Sequence, residues 1–242
     1  NIRKNILQLT FDAKSSHIGS SLSIVEILYT LYFKKIRKID RFILSKGHAA
    51  LALYCILYEK GILSKRIIDT FGRDGTSLMA HVSHKVKGVE FSTGSLGHGL
   101  PVSVGKALYF KSNNKKNKVF VVISDGELNE GSTWESLLFA CHHQLDNLCK
   151  ILDNNKIQSL GYVKDIIKLE PLKNKFESFG AKVFRCDGHN VNKIQNLLNL
   201  KVSKKPKIII ADTIKGKGVS FMENNNQWHY KNPNVKELKL AL

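Results

Sequence analysis

The stretch of residues 119–161 constrains the fold more than any other part of the chain. It begins with an apolar, β-branched run at 119–123 and contains a second apolar run at 148–152. Such runs are typical of strands that are buried on both faces of a parallel sheet. A helical segment at 134–143 lies between them, and a strand–helix–strand unit of this length places its two strands parallel. The sequence therefore predicts an α/β fold.

The remaining periodicity supports this class. Further strands are predicted at residues 42–44, 182–185 and 208–211. Helices are predicted at residues 1–14, 23–33, 49–58, 101–109, 163–167, 172–179 and 191–200, with a loop at 15–19 between the first two. A chain of 242 residues can bury a sizeable core, and its length fits one large domain.

Polar residues follow the two central strands at the point where each strand ends. Asp125 and Asn155 are 30 residues apart (155 − 125), so the unit can bring them together at the carboxyl edge of the sheet, where ligands bind. Together with the carbonyl of Ile157 they offer hard oxygen donors that suit Mg²⁺ when phosphates complete its shell. Gly126 lets a phosphate approach the backbone. The alternative is an Asp-Gly turn, with Asn155 capping a second turn.

These segments resemble the thiamine diphosphate motif as it occurs in the transketolase family. The matching strings are Ser-Asp-Gly-Glu at 124–127, Leu-Asn-Glu-Gly at 128–131 and Asn-Lys-Ile-Gln at 155–158. The resemblance implies that Asp125, Asn155 and the Ile157 carbonyl bind a divalent metal, and that Asp125, Asn155, Gly126 and Glu127 bind the cofactor. It also implies a catalytic role for Glu130, which matches a family position near the cofactor and the interface between subunits. Ser124 stands where the family usually has glycine.

Four histidines match catalytic positions of the same family. They lie in Ser-Ser-His-Ile-Gly, Asp-Arg-Phe-Ile-Leu-Ser-Lys-Gly-His, Ala-His-Val and Trp-His-Tyr. The resemblance implies catalytic roles for His17, His48, His81 and His229, and a cofactor contact for His48. From the residues alone, a histidine beside glycine in a loop is equally a turn residue. His81 and His84 form a His-x-x-His pair, but no further ligand is adjacent, which argues against zinc.

A glycine-rich segment at 88–99 precedes a predicted helix. By composition alone this is a weak signal. The string Thr-Gly-Ser-Leu-Gly-His-Gly at 93–99 resembles a transketolase segment. The resemblance implies that Gly94, Ser95, Leu96 and Gly97 contact the thiamine rings of the cofactor.

The resemblance covers essentially all of residues 1–242 as one diphosphate-binding domain. It implies a doubly wound, mostly parallel sheet with helices on both faces. It further implies reversible two-carbon ketol transfer between sugar phosphates, with thiamine diphosphate and Mg²⁺ (or Ca²⁺ or Mn²⁺) as cofactors. The pyrimidine-binding domain of the family, with its activating glutamate, is not found before Leu242. We therefore expect an α2β2 assembly with a separate C-terminal partner subunit.

Two other enzymatic interpretations follow from the same residues. One is a thiamine-dependent 2-oxo acid dehydrogenase component, which would hand an acyl group to lipoamide. The other is a degenerate, non-catalytic subunit, because Ser16, Ser124 and Tyr230 depart from the family pattern.

The net charge of +18 raises a third possibility, a basic nucleic-acid-binding protein. The lysines are scattered, no nucleic-acid-binding motif accompanies them, and a lysine- and asparagine-rich composition explains much of the charge, so we expect no nucleic acid partner. No apolar run approaches the roughly 18 residues of a membrane span. The four cysteines form no Cys-x-x-Cys pair, and no signal-peptide pattern is visible. These features predict a cytoplasmic protein without a membrane partner.

Overall fold

Five parallel strands form one sheet in the computed structural model, which describes residues 1–242. They are β1 (Arg41–Leu44), β2 (Val119–Ser124), β3 (Leu148–Asn154), β4 (Lys182–Asp187) and β5 (Lys207–Asp212). Their order across the sheet is β1-β2-β3-β5-β4, and every neighbouring pair is parallel. The five predicted strands are confirmed. β2 and β3 run further than predicted because Ser124 pairs with Asp153, and Asn154 pairs with Asp212 on β5.

Helices cover both faces of the sheet, as predicted, and the strands supply side chains alternately to two cores. Phe120 and Val122 of β2 point into one core, while Val121 points into the other. This alternation is the period of two that a strand imposes. The central strands are buried on both faces, which explains why they read as continuous apolar runs.

Eleven α-helices connect and cover the strands. They are α1 (Ile2–Asp12), α2 (Ile18–Leu22), α3 (Val25–Thr30), α4 (Ala50–Glu59), α5 (Lys65–Ile68), α6 (Gly99–Ser112), α7 (Gly131–His142), α8 (Val163–Ile166), α9 (Leu172–Ser178), α10 (Val191–Asn199) and α11 (Val235–Ala241). α1, α3, α4 and α10 pack on one face of the sheet, and α6, α7 and α9 pack on the other. No helix has the length and apolar character that crossing a bilayer requires.

The segment around His17 differs from its prediction. The loop ends at His17, and α2 begins at Ile18 instead of remaining irregular through Gly19. The predicted helix at 23–33 is divided into α3 and a π-helical turn, Leu31–Lys35. Tertiary bonds are the reason: the Ser23 hydroxyl donates to Asp153 at 2.8 Å, and the His17 amide donates to the His229 carbonyl at 2.8 Å. Neither bond can be inferred from local sequence.

Candidate functional site

The carboxyl ends of β2 and β3 meet, as their spacing predicts. Asp125 Oδ1 accepts a hydrogen bond from the Gly126 amide at 2.8 Å, and its Oδ2 accepts one from the Lys156 amide beyond β3 at 2.5 Å. Asn155 Oδ1 accepts from the Ile157 amide at 3.1 Å. Asp125 and Asn155 are both buried. The two strand ends are therefore joined directly by the carboxylate.

This group of donors fits a divalent metal that takes its other ligands from phosphate. Burial and the neighbouring Asp153 carboxylate raise the pKa of Asp125 to about 7, and no cationic side chain pairs with it. A divalent cation would supply the missing positive charge. No group of three or more His, Cys, Asp or Glu side chains can hold a metal by itself. Asp125, Asn155 and the Ile157 carbonyl can hold Mg²⁺ only with help from a ligand.

The four predicted histidines come together from four separate segments. The ring of His17 lies 5.5 Å from His48, 5.5 Å from His81 and 5.0 Å from His229, measured between centroids. His17 has a left-handed backbone, with φ of 67°, which turns its side chain at the start of α2. Ser16 bonds His17 Nδ1 through its hydroxyl at 2.7 Å, so the residue that replaces the usual glycine orients the ring.

These imidazoles are held in their neutral form. Burial, with repulsion from His81 and Lys215, lowers the pKa of His17 to about 4. Burial and then Lys215 lower the pKa of His229 to about 3. Burial also lowers the pKa of His48, to well below 6.5, and that of His81. Neutral rings accept and donate one proton each, which suits handling of hydroxyl protons.

Two buried lysines, which local sequence does not identify, stand behind this cluster. Lys215 donates from its ammonium group to the Ile157 carbonyl at 3.1 Å and is 2.8 Å from His229 Nδ1. Burial and the nearby Lys46 charge lower the pKa of Lys215 to about 8. The one signal for Lys215 in the sequence is its position just beyond β5, in the Lys-Gly-Lys-Gly string.

Lys46 forms a fully buried ion pair with Asp153. The same carboxylate accepts hydrogen bonds from Asn155 at 2.8 Å and from the Thr213 hydroxyl. Burial of an ion pair is tolerated only where such additional bonds satisfy it. The pair therefore fixes Asn155, one of the predicted metal ligands, from below the cleft.

The glycine-rich segment lies beside the cleft, and Glu127 anchors it. Glu127 accepts hydrogen bonds from the Gly97 amide at 3.1 Å, the Ser124 amide at 3.2 Å and the Ser45 hydroxyl. It is buried and does not line the cleft, nor do Ser95, Gly97 or the exposed Glu130. The predicted cofactor role of Glu127 is thus expressed here as support for the segment.

One cleft of about 170 Å³ collects the remaining predicted residues. Its lining includes His17, His48, His81, His229, Gly94, Leu96, Asp125, Gly126, Asn155, Ile157 and Tyr230. Complete small-molecule sites usually enclose roughly 300–1,000 Å³. The cleft is therefore the size of part of a site. Tyr230 lies at its mouth, with its ring 4.8 Å from that of His229.

Comparison with known proteins gives consistent matches over the whole chain. Residues 2–242 match the family model described as transketolase, thiamine diphosphate binding domain. The chain is 42% identical over 253 residues to an apulose-4-phosphate transketolase subunit of Actinobacillus succinogenes, covering 100% of this chain and 92% of the relative. It is 39% identical over 240 residues to a 6-deoxy-6-sulfo-D-fructose transketolase subunit of Clostridium sp., covering 94% and 87%.

Full-length transketolases match over a part of their length. The crystal structure of transketolase from Campylobacter jejuni superposes with a TM-score of 0.92 at 30% identity, covering 99% of this chain and 40% of that one. Human transketolase is 34% identical over 240 residues, covering 95% and 38%. The chain thus spans about two fifths of these longer proteins.

Proposed function

Because the chain belongs to the transketolase family, as its thiamine diphosphate-binding domain, we propose that it is the N-terminal subunit of a split transketolase. The proposed reaction is reversible transfer of a two-carbon ketol unit between anionic sugars, with sugar phosphates as the principal class. The observation that carries the proposal is the cleft itself, where four neutral histidines face the Asp125–Asn155 edge of the sheet. Two relatives are named as separate subunits of apulose-4-phosphate transketolase, and a third is a subunit named for a sulfonated ketose. These names support the split arrangement and the anionic substrate.

The residues of the cleft divide into two groups by chemistry. Asp125, Asn155 and the Ile157 carbonyl would hold Mg²⁺ against the diphosphate, and Gly126 lets the phosphate approach the backbone. Lys215 adds positive charge on the same side. Thiamine diphosphate, when bound, supplies the nucleophilic carbon and the electron sink that ketol transfer requires.

The histidines would act on the sugar. His17, His48, His81 and His229 lie within a small area of the cleft, so several ring nitrogens can meet neighbouring hydroxyls of one substrate. A neutral imidazole can take a hydroxyl proton and return it, which is the general acid–base work of a ketol cleavage. Their lowered pKa values keep them available as bases at neutral pH.

The test measures cofactor binding and donor choice. Titration calorimetry of the chain together with its partner subunit should show thiamine diphosphate binding that requires Mg²⁺. Asp125→Ala should abolish it, because no other carboxylate at this edge is free to replace it. Xylulose 5-phosphate with ribose 5-phosphate should be turned over, and pyruvate with an electron acceptor should not. Unchanged affinity in Asp125→Ala, or turnover of pyruvate alone, would refute the proposal.

A further inference from the structure

The loop that carries Lys215 is held from behind by three side chains that do not reach the cleft. The Ile214 amide donates to His189 Nε2 at 2.8 Å, and Arg3 Nε donates to the Lys217 carbonyl at 2.9 Å. These two bonds fall on either side of Lys215. The loop is therefore fixed at both of its shoulders by groups from elsewhere in the fold.

Glu26 on α3 joins the two supports. Its carboxylate lies 2.9 Å from His189 Nδ1 and accepts two hydrogen bonds from Arg3, at 2.6 Å and 2.9 Å. Burial opposes ionisation, but the bonds from His189 and Arg3 prevail and lower the pKa of Glu26 to about 2. Because His189 Nε2 accepts from Ile214, its proton must sit on Nδ1, where Glu26 receives it. The carboxylate thus selects the tautomer that can hold the loop.

The glycines of the Lys-Gly-Lys-Gly string fit the same arrangement. Gly216 has φ of 80°, and a Cβ there would lie 2.3 Å from the Met222 carbonyl oxygen. Gly218 has φ of 96°, and a Cβ there would lie 2.8 Å from Arg3 Cδ and Nε. Both positions need glycine, for backbone conformation and for space. The motif is explained by how tightly this loop packs against Arg3 and Met222, and it leaves Lys215 with one direction to point.

We infer that His189 is a positioning residue: with Glu26 and Arg3 it sets the place of the Lys215 ammonium group and thereby the affinity of the site for the diphosphate of its cofactor. This inference rests on the proposed function for its ligand. It does not depend on that function for the geometry, because the contact between Lys215 and His229 Nδ1 exists in the chain itself. His189 acts through the backbone at Ile214 and touches no reacting atom.

Two variants of His189 separate positioning from general packing. His189→Gln keeps an oxygen that can accept from the Ile214 amide, whereas His189→Leu removes the acceptor. Arg3→Met removes the second support at a partly exposed position, so one variant remains informative if His189→Leu does not fold. His142→Leu, at the exposed end of α7, is the matched control.

The readouts are thiamine diphosphate affinity with Mg²⁺, measured on the chain with its partner, and the ¹⁵N NMR signal of His229 Nδ1, measured on the chain alone. His189→Leu should weaken binding about tenfold, the equivalent of one net hydrogen bond, and shift the nitrogen signal. His189→Gln should stay within about threefold of the wild type, and His142→Leu should match it.

The two hypotheses fail in different ways. If the wild-type complex does not bind thiamine diphosphate, the proposed function is wrong, and the nitrogen signal still decides the role of His189. An unchanged His229 signal in both His189→Leu and Arg3→Met would overturn the inference. So would equal losses of affinity in His189→Gln and His189→Leu, because packing alone would then explain them.

Discussion

Four imidazoles share one cleft at the residue scale, and each makes the others harder to protonate. His17 and His229 are the best-defined members, with pKa values lowered mainly by burial and then by neighbouring positive groups. Lys46 and Lys215 place further positive charge beside them. Such an environment disfavours cations and favours an anion, which is the character of a diphosphate.

The same feature predicts acid sensitivity of the fold. A histidine whose pKa is depressed on folding binds its proton more readily in the unfolded chain, so stability is complete above about pH 6.5. It should be lost progressively as the pH falls towards 4, the value for folded His17. Urea unfolding at pH 7.5, 6 and 5 measures this. The double variant His17→Asn/His229→Asn should flatten the pH dependence, and the exposed pair His142→Asn/His143→Asn should leave it unchanged. Parallel pH profiles for all three proteins would contradict the prediction.

Lys150 is a charged residue that the proposed function does not use. It lies on β3, is buried, and its ammonium nitrogen has no hydrogen-bond partner. The nitrogen is 3.9 Å from the centroid of the Phe176 ring, a weak compensation for lost hydration. Burial lowers the pKa of Lys150 to about 7.

We predict that Lys150→Met stabilises the protein at neutral pH by about 1–3 kcal/mol, because it removes a buried polar group that is not hydrogen-bonded. The folded pKa is below the unfolded value of 10.5, so the cost of lysine is absent above pH 10.5 and grows as the pH falls to about 7. Thermal melts at pH 7 and pH 10 test this. The gain should be larger at pH 7; an equal or lower melting temperature there would show that the interaction with Phe176 outweighs the cost.

Close approach between connecting segments is the main constraint at the scale of elements. Gly47, just beyond β1, sits against the glycine-rich segment, and a Cβ there would lie 2.2 Å from the Thr93 carbonyl oxygen. The Thr93 hydroxyl in turn donates to the Leu44 carbonyl at 2.6 Å. The end of β1 and the glycine-rich segment are therefore one packed unit beside the cleft.

Gly47→Ala should accordingly destabilise the protein by about 1–3 kcal/mol, as overpacking against backbone does. Gly105 in α6 is the matched control, because nothing lies within 4 Å of its added Cβ and it is exposed. Gly105→Ala should stabilise by roughly 0.5–1 kcal/mol, from helix propensity. Chemical denaturation of both variants gives the comparison. Equal effects of the two substitutions would mean that the contact with Thr93 yields more easily than the geometry indicates.

The strands were predictable because their signal is local. Continuous apolar runs and a period of two identify β2 and β3 without any knowledge of their neighbours. The break between α2 and α3 was not predictable, since it depends on Ser23 reaching Asp153 across the fold. The same limit applies to the site. Histidines in recognisable strings were found, whereas Lys46 and Lys215 acquire their roles only where distant segments meet.

At the scale of the whole molecule, the cleft is bordered by apolar side chains that this chain leaves uncovered. Leu160 is 83% exposed and follows Ser159, which lines the cleft. Tyr230, at the mouth, is 64% exposed. Exposed apolar residues beside a polar cleft are typical of a surface that another protein covers.

We therefore predict that the purified chain alone shows no ketol transfer, and that activity appears when a C-terminal, pyrimidine-binding subunit is added. The contact should bury at least about 1,000 Å² if the complex is stable. Leu160→Asp should weaken the association of the two subunits about tenfold or more, because it places a charge in the covered apolar area. Leu240→Asp, at a residue 78% exposed on α11, is the control and should have no effect. Light scattering on the mixed subunits measures association and also tests the expected α2β2 stoichiometry. Full activity of the single chain, or equal association of the two variants, would contradict the split arrangement.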